Sequence, residues 1–157
     1  MKKITNLLML FAVAMCVACD EPIELPEPLK VTPFNLDGVW KLSEQSGSPL
    51  AENTYVYVVL DSKHTFQVYD NMNSGYPVLS TGTYALEYDW RVGDVISGVY
   101  DHQLGAWGHE YIITDLYGEK SMVWTAKDDS TYVQKYEWVD QANGRRMPTP
   151  YLLRALP

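Results

Sequence analysis

A chain of 157 residues has room for one domain built around a single hydrophobic core. Its formal net charge of −8 at pH 7 gives a surface that repels phosphate backbones, which argues against nucleic acid as a partner. Aromatic residues make up 13% of the chain, with 12 Tyr and 5 Trp against 3 Phe, and this bias favours half-buried β-strands.

The first 18 residues have the layout of a secretory signal peptide. Lys2 and Lys3 precede an apolar run from Ile4 to Val17 that is too short for a permanent membrane span. The segment Cys16-Val17-Ala18-Cys19 resembles the lipobox cleaved by the lipoprotein signal peptidase, although Cys16 stands where that family prefers Leu. The resemblance implies cleavage before Cys19 and lipidation of Cys19. The alternative is an ordinary signal peptide cleaved nearby, which would leave a free thiol.

Lipidation of Cys19 would leave the folded domain without a thiol, because Cys16 would depart with the signal peptide. Disulfides, zinc–thiolate sites and cysteine nucleophiles are then excluded. The chain is expected in the cell envelope as an outer membrane lipoprotein, either periplasmic or surface-exposed. The acidic residues directly after Cys19 resemble a signal for export to the outer cell surface.

Residues 19–35 are predicted to be the lipidated cysteine and a Pro-rich acidic tether. The segment from Asp20 to Pro33 contains four prolines and four acidic residues. This density of proline favours an extended backbone and prevents a compact fold.

Residues 36–140 alternate strand-like runs with turn signals at a spacing of about ten residues, a pattern of all-β domains. The predicted strands are Gly38–Ser43, Thr54–Leu60, Thr65–Tyr69, Thr81–Tyr88, Val95–Tyr100, Glu110–Leu116, Ser121–Ala126 and Thr131–Val139. Short local connections between about eight strands predict an antiparallel up-and-down barrel. Trp40, Phe66, Tyr84 and Trp124 are predicted to face inward as core. Residues 141–157 form a tail that either packs across a barrel end or frays.

Several short motifs, taken in order, resemble the lipocalin-like domains of small exported bacterial lipoproteins. They are Gly38-Val39-Trp40, His64-Thr65-Phe66, Gly82-Thr83-Tyr84, and Tyr111 to Thr114 followed by Ser121 to Trp124. The resemblance implies that Trp40 plugs a closed barrel end and that the other end opens on a cavity for a small apolar or amphipathic molecule. Lipocalins usually place an arginine of the last strand over this tryptophan. The nearest counterpart here is Lys135 or Arg145.

Four aromatic residues in or beside predicted loops are candidate ligand contacts: Tyr76, Trp90, Tyr100 and Trp107. The alternative is that they cover the barrel ends. His102 and His109 flank one loop beside Asp101 and Glu110, but no helix-spaced metal-binding pair exists. We therefore assign no metal, no cofactor and no catalytic residue.

These patterns favour an envelope lipoprotein whose barrel binds a small hydrophobic or amphipathic ligand. One alternative is a solid barrel that acts as a protein- or glycan-interaction module in an envelope complex. Another is a barrel enzyme using His102, His109 and a carboxylate, which requires those groups to converge.

Overall fold

The structure, a computed structural model, describes residues 27–73, 75–118 and 120–139. The predictions for the signal peptide, Cys19, the first part of the tether, Arg145 and the tail fall outside these residues. No helix in the described ranges is both long enough and apolar enough to cross a membrane.

The described chain consists of one short helix followed by nine strands. Helix α1 spans Pro33–Leu36. The strands are β1 (Gly38–Gln45), β2 (Ser48–Pro49), β3 (Val56–Asp61), β4 (Thr65–Asp70), β5 (Val78–Asp89), β6 (Gly93–Tyr100), β7 (Tyr111–Tyr117), β8 (Ser121–Ala126) and β9 (Val133–Trp138).

Eight of these strands form a closed antiparallel barrel. They pair in the order β1-β3-β4-β5-β6-β7-β8-β9, and β9 pairs in turn with β1. The two-residue strand β2 folds back on the end of β1 as a hairpin outside this cycle. The predicted all-β, up-and-down barrel of about eight strands is therefore confirmed. Closure gives the barrel strands partners on both sides and removes the free sheet edges that promote aggregation.

Side chains alternate between the interior and the outer surface of the barrel, as strand geometry requires. On β3, Val56, Val58 and Leu60 are buried while the residues between them are partly exposed. The four residues predicted as inward-facing core are buried, with exposed fractions between 1% and 4%: Trp40, Phe66, Tyr84 and Trp124.

Helix α1 covers one end of the barrel. The hydroxyl of Thr32 accepts a hydrogen bond from the backbone N–H of Asn35 at 3.1 Å, and Pro33 occupies the first turn, where it blocks no hydrogen bond. Leu36 is fully buried, and its carbonyl accepts the indole N–H of Trp40 at 2.9 Å. The tether predicted over residues 19–35 was expected to be extended, so the helix at its C-terminal end was not predicted, because a single turn is too short to show helical periodicity.

The chain before the helix also contacts this closed end. The backbone N–H of Leu29 donates to the carbonyl of Leu116, near the end of β7, at 2.6 Å. Val31 packs against the core. The part of the predicted tether that the structure describes therefore lies partly on the barrel.

Candidate functional site

The barrel end opposite α1 opens on a cavity of about 320 Å³. At this end β1, β4, β6 and β8 finish, and β3, β5, β7 and β9 begin. The volume lies at the lower limit of typical small-molecule pockets, so it suits a compact ligand. Aliphatic residues of three strands form part of the wall: Leu42, Val56, Val58 and Val68.

Aromatic rings form the rest of the apolar wall. The ring centroid of Trp124 lies 5.6 Å from that of Trp107, 5.4 Å from that of Tyr111 and 4.9 Å from that of Tyr136. Tyr100 and Tyr132 also line the cavity. Such a continuous set of rings offers flat faces on which a planar apolar molecule can pack.

Trp107 reaches the interior although it belongs to the loop between β6 and β7. His102 and Gln103 adopt positive φ angles of 59° and 60°, which reverse the chain after β6. The backbone N–H of Trp107 then donates to the carbonyl of Gly98 at 2.8 Å. This hydrogen bond holds the loop against β6 and directs the indole toward the core. There its ring centroid lies 4.9 Å from that of Phe66.

Gly98 makes this position of the indole possible. A Cβ atom at residue 98 would overlap atoms Cε2, Cδ2 and Cζ2 of Trp107. Trp107 and Gly108 also line a second cavity, of about 640 Å³, that lies beside Ser97, His109 and Lys127. Because they belong to the linings of both cavities, Trp107 and Gly108 lie between the barrel interior and this lateral groove.

Two indole N–H groups of the cavity wall have no acceptor within the part of the chain that the structure describes. Within the described residues, the Nε1 atoms of Trp107 and Trp124 are buried without a hydrogen-bond partner. The N–H of Trp40, by contrast, is bonded to the carbonyl of Leu36. An unmatched buried donor costs about 1–3 kcal/mol. A ligand oxygen that accepted from either indole would recover part of this energy.

Two phenol groups of the cavity wall are hydrogen-bonded to glutamine side chains. The hydroxyl of Tyr132 accepts from the amide of Gln45 at 2.8 Å, and that of Tyr136 donates to the amide oxygen of Gln134 at 3.0 Å. Burial raises the pKa of Tyr136 well above its ordinary value. Burial, followed by the neighbouring Tyr132, also raises the pKa of Tyr111. Tyr111 and Tyr136 are therefore neutral at neutral pH.

The structure separates the four predicted ligand contacts. Tyr100 and Trp107 line the cavity. Tyr76 is 78% exposed on the β4–β5 loop at the same barrel end. Trp90 is 77% exposed at the tip of the β5–β6 hairpin, with the guanidinium carbon of Arg91 4.8 Å from its ring centroid. The four residues therefore do not form one patch.

Some cavity residues were not predicted as candidate contacts. Trp124 was interpreted as core alone, and it both packs in the core and lines the cavity. Asp70, Tyr111 and Tyr136 are not among the four predicted ligand contacts, although they line the cavity. The signal for Asp70 is its place in the alternating series Phe66, Val68, Asp70 on β4, which directs its side chain inward.

The polar candidates take other positions. Nδ1 of His109 lies 2.7 Å from a carboxylate oxygen of Asp128, across two loops. In the described part of the chain, no group of three or more His, Cys, Asp or Glu residues is placed to hold a metal ion. The interpretation of Lys135 as the cation over Trp40 is wrong. Lys135 is on the outer face of β9, where its Nζ lies 2.8 Å from a carboxylate oxygen of Glu44.

No known protein family, curated protein sequence or solved structure matches the chain.

Proposed function

We propose that this chain is an envelope lipoprotein whose lipocalin-like barrel binds a small hydrophobic or amphipathic molecule. The observation that carries the proposal is the cavity of about 320 Å³ at the open end, walled by aliphatic and aromatic side chains. A barrel used only as a solid scaffold has no need for an apolar cavity, since filling it would stabilise the fold.

The described N-terminal segment lies at the closed end of the barrel. The backbone N–H of Leu29 donates a hydrogen bond to the carbonyl of Leu116 at the closed end, and helix α1 covers that same end. A lipid on Cys19 would therefore attach the barrel to the membrane by its closed end. The cavity mouth would face away from the membrane, where a ligand can reach it.

The second candidate function, an interaction module for a protein or glycan, draws on the β5–β6 hairpin. Tyr88 and Trp90 are 74% and 77% exposed there, and Val92 is 40% exposed. Exposed aromatic residues of this kind are typical of contact surfaces. This hairpin accounts for a docking role, but it does not account for the cavity, so ligand binding is the preferred proposal.

The test is native mass spectrometry of residues 20–157, which contain the whole barrel. The protein is incubated with fatty acids, bile acids, sterols, haem, short oligosaccharides and amphipathic amines. We expect a discrete adduct with one chemical class. Val68→Phe, which adds a ring inside the cavity, should abolish the adduct.

Val92→Phe is the matched control, because it makes the same chemical change on the exposed hairpin. This variant should keep the adduct. A folded, monodisperse wild-type protein that gives no adduct with any class would overturn the proposal and favour the interaction module.

A further inference from the structure

The charge of the cavity lining limits the kind of ligand that it can hold. Among the described residues that line the cavity, Asp70 alone carries a formal charge at neutral pH. Its carboxylate accepts the backbone N–H of Met72 at 3.2 Å, which fixes the side chain at the mouth. Placing an anionic ligand beside this carboxylate would bury two like charges together, which is strongly unfavourable.

The loops around the mouth reinforce the negative potential. They carry five further carboxylates: Glu52, Asp101, Glu110, Asp128 and Asp129. Lys127 lies in the same region, but its Nζ is 3.4 Å from carboxylate oxygens of both Asp89 and Glu110. A mouth of this composition attracts cations and repels anions during association.

Aromatic side chains share the cavity with the carboxylate of Asp70. Tyr100, Trp107 and Tyr111 line the same cavity as Asp70. The pKa of Tyr100 is raised by burial and, secondarily, by the charge of Asp70, so the field of the carboxylate reaches this ring. A carboxylate together with electron-rich rings is the combination that binds organic ammonium groups, through ion pairing and cation–π attraction.

We propose that the ligand is an amphipathic cation with a flat apolar body and a protonated amine. The body packs among Trp107, Trp124 and Tyr136, and the ammonium group lies at the mouth beside Asp70. This inference rests on the proposed function, and it names the ligand class for the same cavity. It excludes fatty acids and bile acids as the preferred ligands, since both are anions at neutral pH.

The test uses three probes that share one scaffold: 2-naphthylmethylamine, 2-naphthalenemethanol and 2-naphthoate. Their affinities for residues 20–157 are measured by isothermal titration calorimetry at pH 7. We expect the amine to bind about tenfold more tightly than the alcohol, a factor typical of one charge-assisted contact. The carboxylate should bind more weakly than the alcohol.

Asp70→Asn provides the variant, because the amide oxygen can still accept the N–H of Met72. It should weaken binding of the amine about tenfold and leave binding of the alcohol nearly unchanged. Asp115→Asn is the matched control, since it removes one carboxylate from an exposed position on β7 toward the closed end. It should leave all three affinities unchanged.

The outcomes separate this inference from the proposed function. Equal or tighter binding of the carboxylate would overturn the inference, as would a loss at Asp70→Asn that is the same for amine and alcohol. If no naphthalene probe binds but the mass-spectrometry panel gives an adduct, the inference is wrong and the proposed function stands. If neither experiment detects binding, both are wrong.

Discussion

Replacement of Gly98 by alanine tests the placement of Trp107 inside the barrel. Gly98 does not have a positive φ angle, so alanine meets no backbone strain there. The conflict is with the side chain of Trp107, whose ring atoms occupy the space that the new Cβ needs. The indole cannot retreat easily, because Phe66 and Trp124 pack against it.

The expected loss of stability has a lower and an upper limit. If the ring and strand β6 shift together, the cost is that of overpacking a core, about 1–3 kcal/mol. If the indole leaves the barrel, the cost approaches that of deleting a buried tryptophan, about 3–5 kcal/mol. We expect a value of about 3 kcal/mol, which is a large part of the stability of a domain of this size.

The measurement is urea unfolding at pH 7, monitored by circular dichroism, of wild type, Gly98→Ala, Trp107→Leu and the double variant. In the Trp107→Leu background the overlap is relieved, so Gly98→Ala should cost less than about 0.5 kcal/mol. The coupling energy should then exceed about 1 kcal/mol.

Gly108→Ala is the control for the added methyl group. A Cβ at residue 108 has no neighbour within 4 Å. This variant should change the unfolding free energy by less than about 0.5 kcal/mol. If Gly98→Ala were as mild as Gly108→Ala, the position of Trp107 in the barrel would be refuted.

Two further predictions concern the polar groups of the core. Trp40→Phe removes the hydrogen bond to Leu36, whereas Trp124→Phe removes an N–H that has no partner among the described residues. Trp40→Phe should therefore cost about 1–3 kcal/mol more in urea unfolding than Trp124→Phe. Equal costs would contradict the hydrogen-bond assignment. Burial raises the pKa of Tyr84 from 10.0 to about 12, so the folded state holds a proton that the unfolded state releases first. The contribution of Tyr84 to stability should therefore be constant below about pH 10 and be lost as the pH rises through about 12. Urea midpoints that stay unchanged across the interval from pH 10 to 12 would contradict the assignment.

The strands could be predicted from sequence because each carries its own alternating pattern. Val56, Val58 and Leu60 are followed, after a short turn, by Phe66 and Val68. In both runs the apolar residues alternate with others, which predicts two strands that each bury one face. This local pattern also fixes the barrel, since eight such strands with short connections pair in order. Strand β2 was not predicted, because two exposed residues carry no periodicity.

The candidate site was predictable only in part, because it combines strand residues with a loop residue. Tyr100 and Trp107 were named as candidates for their place in or beside loops, yet the structure shows why Trp107 in particular turns inward. The cause is the reversal at His102 and Gln103 and the hydrogen bond from Trp107 to Gly98. Neither the reversal nor the hydrogen bond produces a periodic pattern in the sequence. Asp70 could have been found, since it continues the inward series of β4.

The pairing of β1 with β9 sets the order in which the barrel can be completed. Glu44 and Lys135, whose side chains meet across this seam, are separated by 91 positions in the sequence. During translation, one edge of β1 therefore has no strand to pair with until β9 has been synthesised. A barrel with such a non-local seam belongs to the slowly folding class, on the scale of milliseconds to seconds. The barrel therefore cannot close before β9 has been synthesised, whatever the order in which the other strands pair.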